Sequence, residues 1–209
     1  MHITVSNLGK RYNREWIFRH FSYEFTPGKS YAITGPNGSG KSTLLQVIAG
    51  AVLLSEGSME IKNAATETNY KKVIPNENIY QQLSFAAPYL ELIEEMTAVE
   101  LLNFHSTFKP LTKSVEFILA EVALQTAANK QIRYFSSGMK QRLKLAQAFF
   151  SNTNILLLDE PTTNLDADGI SLYHKLIKNY AQHKLIMVSS NDKQEYDFCE
   201  EVIEIGRYK

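Results

Sequence analysis

The segment Gly35-Pro36-Asn37-Gly38-Ser39-Gly40-Lys41-Ser42 constrains the fold more than any other feature of this chain. It fits the pattern G-x-x-x-x-G-K-[ST] in the context that pattern needs, between a strand and a helix. Upstream, Pro27-Gly28 makes a turn and Tyr31-Ala32-Ile33 reads as a short buried strand. Downstream, an apolar helix ends near Gly50. The glycines, Gly35, Gly38 and Gly40, let the backbone wrap closely around phosphate oxygens. The N–H groups of residues 38 to 43 (Gly38, Ser39, Gly40, Lys41, Ser42 and Thr43) then face that negative charge, together with the helix N-terminus. Asn37 lies within the same cradle. Lys41 is placed to reach the β- and γ-phosphates of ATP, and the Ser42 hydroxyl to ligate Mg²⁺.

A second motif supports the first. Ile155-Leu156-Leu157-Leu158 is an apolar strand that ends in two acids, Asp159 and Glu160. In a parallel α/β sheet, ligands sit beyond the carboxyl ends of the strands. Asp159 is then placed to hold Mg²⁺, directly or through water. Glu160 is placed to orient or deprotonate an attacking water. Around these motifs, strands alternate with helices, which predicts a parallel α/β core. Ile3 and Val5, then Phe21, Tyr23 and Phe25, alternate with polar residues and predict an antiparallel β flank. Residues 57–86 look β-rich and irregular, and residues 97–150 helical, with Thr97 and Glu100 forming a capping box. A polar helix is expected from near Asp166, a strand over Leu185–Ser189 and a last strand over Val202–Ile205.

The third motif is Phe135-Ser136-Ser137-Gly138-Met139-Lys140-Gln141-Arg142, just upstream of the Asp159 strand at the start of an expected helix. A Ser-Gly helix start binds phosphate through backbone N–H groups and the helix dipole. The motif resembles the signature of the ATP-binding cassette (ABC) ATPases, L-S-G-G-Q, keeping Ser136 and Gly138; Phe, Ser and Met stand at its first, third and fifth positions. The resemblance covers nearly the whole chain. Pro161-Thr162-Thr163-Asn164-Leu165-Asp166 looks like the family's D-loop, and Tyr12 falls where the family stacks an aromatic on adenine, with Trp16 as a rival. The resemblance implies a P-loop NTPase core with parallel sheet, antiparallel flank and inserted helical lobe. One cassette would span 1–209, with 1–87 and 151–209 as nucleotide-binding core and 88–150 as the lobe.

It also implies that Ser136, Ser137 and Gly138 of one subunit reach the γ-phosphate held by the P-loop of a second ABC ATPase subunit, in a homo- or heterodimer. MgATP would be sandwiched between them, and closure would drive an integral membrane permease on a separate chain. The protein would then be cytoplasmic and peripheral to the inner face of the cell membrane. Tyr89, Leu90, Leu92 and Ile93, in the stretch Pro88–Glu95, offer apolar contacts either to that permease or to the core.

Two positions depart from the family. Its Gln about nine residues before a T-x-x-E segment, which touches Mg²⁺ and water, is here Pro88. Its His after the 185–189 strand, which senses the γ-phosphate, is here Asn191; none of the five histidines stands there. Asn donates hydrogen bonds but carries no charge and relays no proton. The same Asn191 is also a candidate cap for the following helix. Slow hydrolysis is therefore expected, with ATP binding intact.

Composition narrows the alternatives. Lys plus Arg number 22 and Asp plus Glu 22, so no basic footprint for nucleic acid or anionic lipid is present. The single cysteine, Cys199, excludes an internal disulfide and fits a reducing cytosol. The N-terminus lacks the regions of a signal peptide, and the longest apolar-rich run, Leu44–Leu54, contains Gln46 and is too short to cross a bilayer, so no direct membrane insertion is expected. A regulatory nucleotide-binding module paired with a more active cassette is favoured by Pro88 and Asn191 and opposed by Lys41, Asp159 and Glu160. A non-transport ABC protein acting on ribosomes or DNA usually carries two cassettes or long insertions, and this chain has neither.

Overall fold

A computed structural model describes residues 1–63, 73–74 and 76–209. Part of the irregular 57–86 stretch, residues 64–72 and Pro75, lies outside them. β1 (His2–Tyr12) and β2 (Glu15–Phe25) form an antiparallel hairpin. On its other edge β1 pairs with β4 (Glu56–Lys62), which pairs with β5 (Val73–Ile74). The result is an antiparallel sheet of order β2-β1-β4-β5. Its inward positions are the alternating apolar residues Ile3, Val5, Phe21 and Phe25, all buried.

The second sheet is parallel and has the order β6-β7-β8-β3-β9, from Leu83–Ala86, Ile155–Asp159, Leu185–Ser189, Ser30–Thr34 and Glu201–Glu204. The last strand ends one residue earlier than expected, because Ile205 starts a 3₁₀ turn over Ile205–Tyr208. Side chains alternate across this sheet and feed two cores. Ile155, Leu157, Leu185 and Met187 pack with β3, α1 (Lys41–Ile48) and the antiparallel sheet. Leu156, Leu158, Ile186 and Val188 pack beneath α2 (Ala98–Phe108), α4 (Ser137–Phe150) and α5 (Ala167–Tyr180). Burial on both faces explains why these strands read as unbroken apolar runs.

The expected helical middle is α2, α3 (Val115–Glu121) and α4, joined by short 3₁₀ turns at Gln125–Ala127 and Ile132–Tyr134. The capping box is present: Thr97 Oγ1 accepts from the Glu100 N–H at 3.2 Å, and Glu100 Oε2 accepts from the Thr97 N–H at 2.8 Å. α3, α4 and α5 are capped by Ser114, Ser136 and Asp166. Only α1 differs. Its N-cap is Gly40, with no side-chain hydrogen bond and no acid in the first turn. Its first N–H groups therefore await an outside acceptor.

One group on the lobe helices is shifted in the range between neutral and mildly acid pH. His105 on α2 bonds Ser151 Oγ at 2.7 Å, and burial beside Lys109 pushes its pKa down from 6.5 to about 4. Above pH 6.5 the ring is neutral in both folded and unfolded chains. Between 6.5 and 4 the unfolded chain takes up a proton that the folded one refuses, so stability falls as pH falls. His105→Gln is expected to shrink the drop in Tm between pH 7 and pH 5, measured by differential scanning fluorimetry. An identical drop in both proteins would assign the acid sensitivity elsewhere.

Candidate functional site

Strand register brings the site together. Asp159 lies opposite Ser189, and Ser189 opposite Ile33, so β7, β8 and β3 end at one level. The residues that follow, Glu160, Ser190-Asn191 and Gly35, then converge beyond the carboxyl edge of the sheet. The loop of residues 35–40 carries Ile33 and Thr34 into α1. Gly40 adopts φ 103°, and a Cβ there would stand 2.7 Å from Ile17 Cγ2, so only glycine lets the loop seat against β2. Gly38, at φ 75°, faces open space.

The loop holds its own lysine. Lys41 is 5% exposed, and its ammonium donates to the carbonyls of Gly35 at 2.8 Å and Pro36 at 3.3 Å. Asn191 meets the same loop. Its Nδ2 donates to Asn37 Oδ1 at 3.0 Å, and its Oδ1 accepts from the Gly35 N–H at 3.4 Å. The expectation that Asn191 caps the next element is corrected: Asp192 caps the 3₁₀ turn Lys193–Glu195, accepting from the Gln194 N–H. The cap fails for Asn191 because its side chain is engaged by the loop.

Asp159 is 1% exposed and Glu160 exposed, although they are neighbours. Glu160 has φ 42°, a left-handed conformation strained for a side-chain-bearing residue, held by its N–H bond to Ser189 O at 2.9 Å. That kink turns its carboxylate off the strand line. Among the described residues, the buried side-chain atoms lacking any hydrogen-bond partner are Ser39 Oγ, Asp159 Oδ1, Ser189 Oγ and Arg142 Nε. The first three lie in the loop or at the strand ends beside it. Buried polar atoms are nearly always satisfied, so a cluster of unsatisfied ones marks where a polar ligand completes the structure. Sequence reasoning missed Ser189, because its place opposite Asp159 is set by the pairing of two distant strands.

The signature segment lies apart from the loop's hydrogen bonds and is tied to the D-loop segment. Ser136 accepts from the Met139 N–H at 3.2 Å, while Ser136 and Ser137 stay exposed. A Cβ on Gly138 would stand 3.0 Å from Asn164 O, and Gln141 Nε2 donates to Pro161 O at 2.8 Å. Asp166 caps α5 by accepting from the Gly169 N–H at 2.8 Å. Glu195, 3% exposed, was also missed: its Oε1 accepts from the Thr162 N–H at 2.7 Å and tethers residues 161–166 to the Asn191 loop. Tyr12, at the end of β1, is 47% exposed with Lys10 Nζ 4.7 Å from its ring centroid. Trp16 is also covered, by the Arg19 and Arg11 guanidiniums at 4.4 and 5.6 Å.

An uncapped helix start behind a glycine loop, with a buried lysine and a strand-end acid pair, defines a nucleoside triphosphate-binding α/β protein. The comparisons sharpen this. The sequence profile of the family described as ABC transporter matches residues 18–163. The chain is 30% identical to the "Uncharacterized ABC transporter ATP-binding protein YybJ" of Bacillus subtilis (strain 168), over 98% of this chain and 92% of that one. It is also 30% identical to the "Lantibiotic transport ATP-binding protein SrtF" of Streptococcus pyogenes, over 96% and 85%. The fold matches a solved structure described as "Dimeric Structure of MJ0796, a Bacterial ABC Transporter Cassette", with TM-score 0.79 and 24% identity over 98% of this chain and 95% of that one. The chain belongs to the ABC transporter family, as an ATP-binding subunit with ATPase activity.

Asn191 holds the loop without bringing a positive charge to it. Asn191→His is expected to raise kcat about tenfold, roughly 1.4 kcal/mol of barrier, with little change in nucleotide affinity. Steady-state phosphate release measures it. An unchanged or lower kcat would mean that another group serves the phosphate here.

Proposed function

We propose that two copies of this cassette close around MgATP and thereby drive a membrane permease on a separate chain. The carrying observation is the division of labour within one chain. Lys41 and the bare start of α1 cradle one nucleotide, while Ser136–Gly138 present a second helix start whose serines are exposed and outward. In this reading the second helix start serves a phosphate on another subunit. In this arrangement the cassette is a single unit, with residues 88–150 as the lobe. Tyr12 stacks on adenine, Asn37, Ser39 and Thr43 complete the cradle, and Asp166 and Asn191 flank the γ-phosphate.

The donor set fits Mg²⁺. Asp159 Oδ1 is buried without a partner, and Ser42 stands at the start of α1. No group of three or more His, Cys, Asp or Glu residues able to hold a metal occurs among the described residues. Mg²⁺ is commonly held by one or two carboxylates plus the substrate's phosphates, without an all-protein cage. Bound there, it neutralises charge on the β- and γ-phosphates. Lys41 holds the phosphates in line, and the Glu160 carboxylate takes the proton of the attacking water.

No helix among the described residues is long and apolar enough to cross a membrane. Coupling to the bilayer therefore runs through the permease, at the inner face of the cell membrane. Residues 88–92 and Glu94 line a cavity of about 450 Å³ with Lys140 and Lys144, and Leu90 and Leu92 border a second of about 300 Å³. This groove is the permease-facing surface, with Ile93 exposed beside it.

Complementation tests the pairing. Ser137→Glu puts a like charge against the partner's γ-phosphate at a helix start where an acid does not harm folding. Lys41→Ala disables the cradle. Each variant alone is expected to be inactive. Mixed in equal amounts and allowed to exchange, half the dimers hold one intact composite site, so about a quarter of wild-type activity returns. A mixture no more active than its parents would overturn the pairing of two copies.

A further inference from the structure

Tyr89 is a site residue that the family pattern does not supply. It stands in the loop between β6 and α2, one residue past Pro88, and its hydroxyl donates to Asp159 Oδ2 at 3.0 Å. The ring packs edge-on against Phe85, with centroids 6.4 Å apart and planes at 86°. The backbone is pinned as well: Leu90 N–H donates to Ala87 O at 3.3 Å, and Lys144 Nζ to Pro88 O. The hydroxyl thus has a rigid approach to one oxygen of a carboxylate that is 1% exposed. The other oxygen, Oδ1, has no partner at all. One carboxylate is therefore fixed from one side and open on the other, at the strand end next to Ser189.

We propose that Tyr89 is the positioning residue of the metal site, its hydroxyl orienting Asp159 through Oδ2 so that Oδ1 is presented to Mg²⁺. The proposal rests on the Mg²⁺ reading above. Groups that hold a metal ligand from behind fix its direction, and losing one typically costs about 10- to 100-fold in metal affinity. Tyr89 also takes a position that Pro88 leaves empty of side-chain chemistry. Because its own loop lines the 450 Å³ cavity, the same residue joins the metal carboxylate to the permease-facing surface.

Tyr89→Phe removes the hydroxyl and keeps the ring against Phe85. Binding of a fluorescent ATP analogue is measured across a Mg²⁺ titration and again in EDTA. The variant is expected to need about tenfold more Mg²⁺ for half-maximal enhancement of binding, with affinity in EDTA within twofold of wild type. A merely structural role would weaken both conditions together, and that result overturns the proposal. So does a Mg²⁺ requirement that is unchanged or lowered while wild type responds to the metal. If wild-type binding itself ignores Mg²⁺, the metal reading fails and this proposal with it.

Discussion

In Lys41→Ala, ATP affinity falls by roughly 30- to 700-fold, the effect of about 2–4 kcal/mol for truncating one member of a desolvated, hydrogen-bonded charge pair. The magnitude follows from the burial of the ammonium and from its two present partners, Gly35 O and Pro36 O. In the proposed site phosphate oxygens would replace those carbonyls, and they bind the same cation more strongly because both partners are ionised. Alanine removes the cation and leaves both the phosphates and the loop carbonyls without a donor. The bare N–H groups of α1 remain, so binding weakens without vanishing. Titration of a fluorescent ATP analogue at fixed ionic strength measures the change. Unchanged affinity would place the phosphates outside the loop of residues 35–42.

Glu160→Gln is expected to lower kcat at least a hundredfold, since general-base assistance supplies about 10²- to 10⁴-fold. Glutamine keeps the size of the side chain and loses only the basic oxygen. The residue is exposed and its strained φ of 42° suits Gln as well as Glu, so packing and nucleotide affinity are expected to stay the same. With the phosphate contacts intact and hydrolysis blocked, closed dimers accumulate. Size-exclusion chromatography in ATP and Mg²⁺ is expected to show the variant at twice the monomer mass. Steady-state phosphate release within a few-fold of wild type would remove Glu160 from water activation. A variant that stays monomeric at high ATP would count against the sandwich.

The site was legible in the sequence where its geometry is local. Gly35 to Ser42 encodes its own loop, because glycine torsions, the helix start and the lysine all fall within eight residues. The run Ile155 to Glu160 encodes a doubly buried strand with acids at its carboxyl end. Thr97 and Glu100 encode a helix start three residues apart. Asn191 stood out by its place after the strand over 185–189, yet its contact was not predicted. A candidate helix cap turned out to reach Asn37, 154 residues away. The sequence offers Tyr89 as an apolar contact to a permease or to the core, because an aromatic in a loop carries no mark of which acid its hydroxyl meets 70 residues on.

The sequence alone placed the glycine loop, the strand-end acids and the Ser-Gly helix start. Those features depend on torsions and periodicities within single segments. Only the tertiary structure decided which of these groups are neighbours. Strand order β6-β7-β8-β3-β9 sets Asp159, Ser189 and Gly35 along one edge, and it buries Asp159 and Ser189 there with oxygens left unpaired. That order arises because β7, β8 and β3 must each bury both faces, between the lobe helices on one side and α1 with the antiparallel sheet on the other. Such packing is a property of all the segments at once, and no single stretch of residues contains it.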